Sequence, residues 1–217
     1  MDKNQLGIQA MQEGKYEEAA AYFSEAIAEN PTEPVHYINF GNLLAGLNEF
    51  EKGLRFYEKA IEIDENAATA YYGAGNIYFN QEQFDEARKM YLEALKKGLD
   101  ESDLYFMIGL SHQNLNQGKL ALPYLQRAVE LNEEDVEAMF QYGLALAGLE
   151  MIDEAVEQFQ AVIRKDEEYA DAYYNLGVAY VFHDKPDLAK EMFESALRYD
   201  PGHMLAGHAL KLMNSEG

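Results

Sequence analysis

An all-α fold, an α-solenoid of six 34-residue helix–turn–helix repeats closed by a C-terminal capping helix, is predicted by three features of the sequence. Glycines recur every 34 residues, at Gly7, Gly41, Gly75, Gly109, Gly143 and Gly177, with no insertion or deletion between them. Within each half of each window the apolar residues fall at i, i+3, i+4 and i+7, one face of a helix. Short, mostly polar stretches separate the halves: Gln12-Glu13-Gly14-Lys15, Leu47-Asn48-Glu49, Asn80-Gln81-Glu82-Gln83 and His183-Asp184-Lys185. A fixed period in this range marks one supersecondary unit stacked on copies of itself.

The first window, 1–33, puts Leu6 and Gly7 in its first helix and Ala19, Phe23 and Ala26 in its second, with Pro31 where that helix should end. The second, 34–67, repeats the pattern with Tyr37, Phe40, Gly41, Tyr57 and Ala60, but has Gly53 at the first alanine position. The third, 68–101, carries Tyr71, Ala74, Gly75, Ala87, Tyr91 and Ala94. The fourth, 102–135, carries Tyr105, Ile108, Gly109, Ala121, Leu125 and Ala128. Pro123 falls inside its second helix and predicts a late helix start or a slight kink. The fifth, 136–169, has Met139, Tyr142, Gly143, Ala155 and Phe159, with Val162 at the later alanine position. The sixth, 170–203, has Tyr173, Leu176, Gly177, Ala189, Phe193 and Ala196. Pro186 suits the first turn of its second helix and Pro201 the end. Residues 204–215 form the cap, with Leu205, Leu210, Leu212 and Met213 as an apolar stripe and Lys211, Asn214 and the following Glu216 polar. The whole chain, 1–217, reads as one domain.

A glycine inside a helix costs about 1 kcal/mol against alanine. Keeping it six times predicts a place where a side chain does not fit, with the glycine facing the first alanine of the second helix.

Composition narrows the function. Asp and Glu number 39 against 17 Lys and Arg, a formal charge of -22, and 48% of residues are hydrophobic. Such a surface repels phosphate backbones and anionic membrane, so neither nucleic acid nor membrane is an expected partner. It attracts basic partners, and it also serves simply to keep the protein soluble. Without cysteine there is no disulfide, thiol nucleophile or thiolate metal site. No run of 18 apolar residues exists, and the repeat phase begins at Met1, so neither a membrane span nor a cleaved leader is expected. A cytoplasmic protein is the economical expectation.

An aromatic, then Leu-Gly, then Tyr, Ala, Phe, Ala and a terminal Pro at this spacing resembles the tetratricopeptide repeat family; 171–201, DAYYNLGVAYVFHDKPDLAKEMFESALRYDP, reads almost as its consensus. The segments INFGNLL (38–44), ATAYYGAGNIY (68–78), KLALPYLQRAVELNE (119–133) and PGHMLAGHALKL (201–212) resemble more narrowly the YrrB-type small tetratricopeptide proteins of Gram-positive bacteria. The family likeness implies a right-handed superhelix. It also implies a concave face lined by the first helix of each repeat.

Catalytic signals are absent. His36, His112, His183, His203 and His208 show no metal-ligand spacing, and a packed or hydrogen-bonded role suits them better. Gly73-Ala74-Gly75 mimics the start of a dinucleotide fingerprint, but Tyr78 stands at the third glycine and the phase puts the tripeptide mid-helix. Six repeats and a cap take up every residue. No enzyme activity, cofactor, catalytic residue or metal site is expected.

In the family the first helix reads the ligand through template positions 2, 5, 6, 9, 12 and 13. Here those positions offer an aromatic and apolar floor of Tyr72, Phe79, Phe106, Leu110, Phe140 and Tyr174. Asn39, Asn42, Asn76 and Asn175 are amides able to pair with a peptide main chain. Asp103, Glu137 and Asp171 form a carboxylate margin. Ile38, Leu144, Val178, Val181 and Phe182 continue the set. Aromatics at position 5 and Asn at positions 6 and 9 also belong to the family consensus, so a scaffold role competes for them. Chaperone-binding members hold an acidic tail with cations, but the matching residues here are Ile38, Gly73, Asp103 and Met107, or Tyr72, Met107, Glu137 and Gln141. An acidic ligand is therefore the wrong one. The expected activity is that of a non-enzymatic adaptor whose groove takes a basic and apolar peptide or protein surface. The alternative is a structural module that self-associates through its ends or outer face, suggested by Met204 and Met213 and opposed by the charge of -22.

Overall fold

A computed structural model describes residues 2–215; Met1, where the first window opens, and Glu216 lie outside them. Among the described residues there are thirteen α-helices and no strand. They are α1 Lys3–Gln12, α2 Tyr16–Glu29, α3 Pro34–Gly46, α4 Phe50–Ile63, α5 Ala68–Asn80, α6 Phe84–Lys96, α7 Ser102–Asn114, α8 Gly118–Leu131, α9 Val136–Gly148, α10 Ile152–Lys165, α11 Ala170–Phe182, α12 Pro186–Tyr199 and α13 Met204–Ser215. No helix among them is long and apolar enough to cross a membrane.

The chain forms two compact units, Met1–Leu115 and Asn116–Gly217. In the first, α1 pairs with α2, α3 with α4 and α5 with α6, and each pair packs on the next, ending with α7 on α6. Here α3 also touches α1 and α5, while the second helices approach one another less closely, so the first helices form the inner layer of this unit. In the second unit α8 packs on α9, α9 pairs with α10, α11 with α12, and α13 packs on α12.

The small residues of the sequence pattern are where the helices meet. Ala19, Ala60, Ala87, Ala94, Ala155, Ala189 and Ala196 are fully buried. Between them lie the rings of Phe23, Tyr57, Tyr91, Phe159 and Phe193, each at most 2% exposed. Burying such a ring stabilises the fold by about 2–3 kcal/mol. These rings, rather than the facing alanine, explain the recurring glycines. A Cβ at Gly7, Gly41, Gly75, Gly143 or Gly177 would come within 2.5–2.8 Å of the ring sixteen residues on. The facing small residue is close as well, since a Cβ on Gly53 would stand 3.4 Å from the Gly41 carbonyl, but it is not what shuts out the side chain.

Second helices begin at Tyr16, Phe50, Phe84, Gly118, Ile152 and Pro186, so α8 starts in register and not late. Pro123 lies inside it. The carbonyl that a proline cannot bond belongs to Lys119, on an exposed turn where water can take it. Pro186 opens α12, as its missing N–H requires.

A backbone pattern joins the two helices of each repeat. Gly14, Asn48, Glu82, Asn116, Glu150 and Asp184, each 34 residues from the next, all have φ between 54° and 73°. After Gly14, Asn48, Glu82, Glu150 and Asp184 the next residue bonds back across the turn, as in Lys15 N–H to the Ala10 carbonyl (2.8 Å) and Met151 N–H to the Leu146 carbonyl (3.0 Å). Between repeats a different turn recurs. Asp64, Asn132, Asp166 and Asp200 each accept a bond from the N–H two residues on, at 2.9–3.2 Å. Gly98 stands at that position after α6 and, at φ 97°, makes the other kind of turn, with Leu99 N–H bonded to the Ala94 carbonyl (3.1 Å).

The cap differs in detail from the predicted stripe. Ala206, Ala209, Leu210 and Met213 pack with Phe193, while Leu205 and Leu212 are 59% and 51% exposed. Their spacing of seven keeps them on one face, but α12 meets the neighbouring face, where the alanines let it come close.

Candidate functional site

The predicted reading residues lie on first helices. In the first unit they are Asn39 and Asn42 on α3, Tyr72, Asn76 and Phe79 on α5, and Asp103, Phe106 and Leu110 on α7. In the second they are Glu137 and Phe140 on α9, and Asp171, Tyr174 and Asn175 on α11.

The first unit gathers amides around two tyrosines. Tyr57 donates its hydroxyl to Asn42 Oδ1 (2.6 Å), and Tyr91 donates to Asn76 Oδ1 (2.8 Å). Each bond fixes the amide with its NH2 group available, so Asn42 and Asn76 are donors toward a ligand carbonyl. They line one recess of about 250 Å³ together with Tyr57 and Gly73. A side chain at Gly73 would meet the Tyr57 hydroxyl at 2.7 Å, so this glycine keeps the recess open and the ring in place. Asn39 is turned the other way, donating to Asn4 Oδ1 (3.0 Å) and keeping its oxygen. Tyr72 lies against Tyr91 (ring centroids 5.7 Å). Burial pushes the Tyr72 hydroxyl up; Asn76 opposes this and the charges of Asp103 and Glu101 add to it. Phe79 packs edge-on to Phe84 at 5.2 Å. Phe106 and Leu110 are half-buried and Asp103 is exposed.

In the second unit the carboxylates are braced. Tyr169 donates to Glu137 Oε2 (2.7 Å) and Gln141 donates to Glu137 Oε1 (2.8 Å). Burial first, then the Glu137 bond and charge, hold the Tyr169 hydroxyl well above its usual range, so it remains the donor. One repeat later His203 takes the same place beside Asp171, Nε2 to Oδ1 at 3.0 Å. Because His203 Nδ1 accepts from Ala206 N–H (3.2 Å), Nε2 carries the hydrogen and donates to the carboxylate. Asn175 donates to the Asp171 carbonyl (2.8 Å), leaving its own oxygen outward. Tyr174 is half-buried between Phe193 (5.7 Å) and His203 (5.1 Å). Phe140 is a correction to the predicted anchors. It is 7% exposed, its ring held by Phe159 (5.9 Å) and Tyr169 (4.9 Å), so it is a support for Glu137's neighbour and not a free surface.

Sequence reasoning missed Tyr57, Tyr91, Tyr169 and His203 as the groups that aim the site. The signal existed: Tyr169 and His203 each stand 32 residues after the carboxylate they brace. His203 and the buried His112 do fit the packed or hydrogen-bonded role expected of the histidines.

Lysines and arginines pair elsewhere, for example Lys52 with Glu49 (2.9 Å), Lys59 with Glu62 (2.8 Å), Lys89 with Asp85 (2.5 Å), and Lys165 with Glu134. Among the described residues no Lys or Arg pairs with Asp103, Glu137 or Asp171. A larger recess, about 440 Å³, lies on α8, α9 and α10 around Val129, Tyr142 and Lys165, and holds none of the predicted residues. No cluster of three or more potential metal ligands occurs among the described residues.

Family models described as TPR repeat match residues 41–82 and 149–181, and models described as tetratricopeptide repeat match 3–33 and 68–98, and 102–135 and 170–203. Segments of the chain are similar to the TPR repeat-containing protein YrrB of Bacillus subtilis (56% identity over 41 residues, 19% of this chain and 20% of that protein). They are also similar to the Hsp70-Hsp90 organising protein of Plasmodium falciparum (48% over 46 residues, 21% of this chain and 18% of that protein). These sequence matches span about a fifth of each relative. The crystal structure of YrrB, described as a TPR protein with an unusual peptide-binding site, superposes with a TM-score of 0.83 at 52% identity, covering 87% of this chain and 97% of that one. PilF of Pseudomonas aeruginosa shares the fold, with a TM-score of 0.81 at 18% identity over 99% of this chain and 96% of that one.

Proposed function

The chain belongs to the tetratricopeptide repeat family, whose repeats mediate protein–protein interaction, and from that premise we propose a non-enzymatic adaptor that takes a basic and apolar peptide segment or protein surface on its first helices. One observation carries the reading. Asp103, Glu137 and Asp171 are exposed carboxylates at the same template position, and no Lys or Arg among the described residues pairs with them, although the chain's cations pair with acids elsewhere. Carboxylates that hold no Lys or Arg, on helices that also carry half-buried aromatic rings, favour a cation supplied from outside. The Asn42 and Asn76 donors add main-chain recognition in the first unit. YrrB, with its peptide-binding site, supports peptide as the ligand form. A cytoplasmic setting and the assembly of a larger complex are parts of the same proposal.

The test is capture of partners from a bacterial lysate, followed by mass spectrometry, with the wild type and with an Asp103→Asn, Glu137→Gln, Asp171→Asn variant. The variant should lose the wild-type partners, and those partners should elute with rising salt. Equal capture by both proteins overturns the proposal.

A further inference from the structure

The cap helix carries the same template positions as the helices before it. Leu205 and Leu212 stand 34 residues after Asp171 and Val178, which places them at positions 2 and 9 of a seventh first helix. Both are exposed, at 59% and 51%. The inward side of α13 is already satisfied, with Ala206 buried and Leu210 and Met213 packed with Phe193. Its remaining side is not prepared for another hairpin. Where five repeats keep a glycine against a ring, α13 has the exposed Lys211. The exposed leucines are therefore not the open edge of an unfinished core.

They continue a trend along the chain. Position 9 is Asn42, Asn76 and then Leu110 in the first unit, and is apolar throughout the second, at Leu144, Val178 and Leu212. Beside them Val181 and Phe182, on the end of α11, are 53% and 71% exposed. Two braced carboxylates lie on the same helices as this apolar surface, and His203 ties one of them to α13 by bonding both Asp171 and the Ala206 N–H.

We propose that α13 is a seventh reading helix, on which Leu205, Leu212 and the neighbouring Val178 and Phe182 receive apolar side chains of a peptide whose adjacent Lys or Arg faces Asp171. This rests on the peptide-binding reading above and specifies it for the second unit. Charge selects the occupant: an acidic or neutral apolar segment would leave Asp171 without a counter-charge, and a second copy of this chain would bring another formal charge of -22 to the contact.

The experiment is selection of a phage-displayed library of random dodecapeptides on the intact protein. The wild type should enrich peptides in which Lys or Arg precedes or follows apolar residues. A Leu205→Ser, Leu212→Ser variant, substituted only at exposed positions, should keep the basic preference and lose the apolar one. Lys211→Ser, on the other side of the same helix, should enrich the wild-type sequences. If the double variant enriches the same basic and apolar sequences as the wild type, α13 is only a cap, and the peptide-binding reading stands without it. If the wild type enriches no basic peptide, both readings fall.

Discussion

Replacing Gly41 with alanine should cost about 2 kcal/mol, although the same change in a helix usually stabilises. The added Cβ would lie 2.8 Å from Tyr57 Cε1. An ordinary carbon contact needs about 3.5–4.0 Å, so the ring must move by about 1 Å. It has little room, because α5 approaches from its other end, where a Cβ on Gly73 would already be 2.7 Å from the hydroxyl. Moving the ring also strains the 2.6 Å bond to Asn42. Overpacking of this kind costs about 1–3 kcal/mol, and a lost hydrogen bond about 1 more. The better helix propensity of alanine returns about 1. With a urea slope of about 2 kcal/mol per molar, the unfolding midpoint should fall by about 1 M. Circular dichroism during urea titration measures it. Gly46→Ala is the control, since nothing lies within 4 Å of its added Cβ, and it should raise the midpoint slightly. A Gly41→Ala midpoint equal to or above the wild type's would refute the claim that the ring is what excludes the side chain.

Other consequences are as direct. Glu150 sits at φ 61°, so Glu150→Gly should stabilise by about 0.5–1 kcal/mol, seen as a melting temperature raised by roughly 1–4 °C; a lowered one contradicts the strain. His203→Ala removes both the Asp171 bond and the bond from the Ala206 N–H, so it should destabilise by about 1–2 kcal/mol and speed amide exchange in α13 above all; unchanged exchange there denies His203 its role. Burial raises the hydroxyls of Tyr57 and Tyr91 above their ordinary value, and burial with the Tyr199 contact takes Tyr173 from 10.0 to about 12. The folded state thus favours their neutral forms, a contribution fully present below pH 10 and lost as pH rises through the folded values. The urea midpoint should be flat from about pH 8 to 9.5 and fall above pH 10, and equal midpoints at about pH 9 and 11 would contradict it.

The glycine phase was enough to place every second helix, because Tyr16, Phe50, Phe84, Gly118, Ile152 and Pro186 keep its 34-residue interval. It could not say what each glycine faces, since that depends on how a ring from the second helix reaches back across the pair. The left-handed turns were hidden for another reason. Gly, Asn, Glu and Asp share that backbone state without sharing a side chain, and the glutamates Glu82 and Glu150 carry no turn signal of their own. In the cap, Leu205 and Leu212 carried the stronger apolar signal, yet the smaller Ala206 and Ala209 won the packed face by allowing α12 to come near. Phe140 shows the same difficulty within the site, because reading positions and core positions adjoin on one helix. The braces on Glu137 and Asp171 come from residues 32 places away and are visible only once consecutive repeats are stacked.

The six left-handed turn residues, Gly14, Asn48, Glu82, Asn116, Glu150 and Asp184, are all exposed, and the chain contains no cysteine. A single cysteine at any one of them would be the molecule's sole thiol, on a loop and outside the core. The protein therefore offers a ready series of attachment points, one per repeat, for fluorophores, spin labels or surface immobilisation. A reporter moved along that series would register a ligand's arrival repeat by repeat.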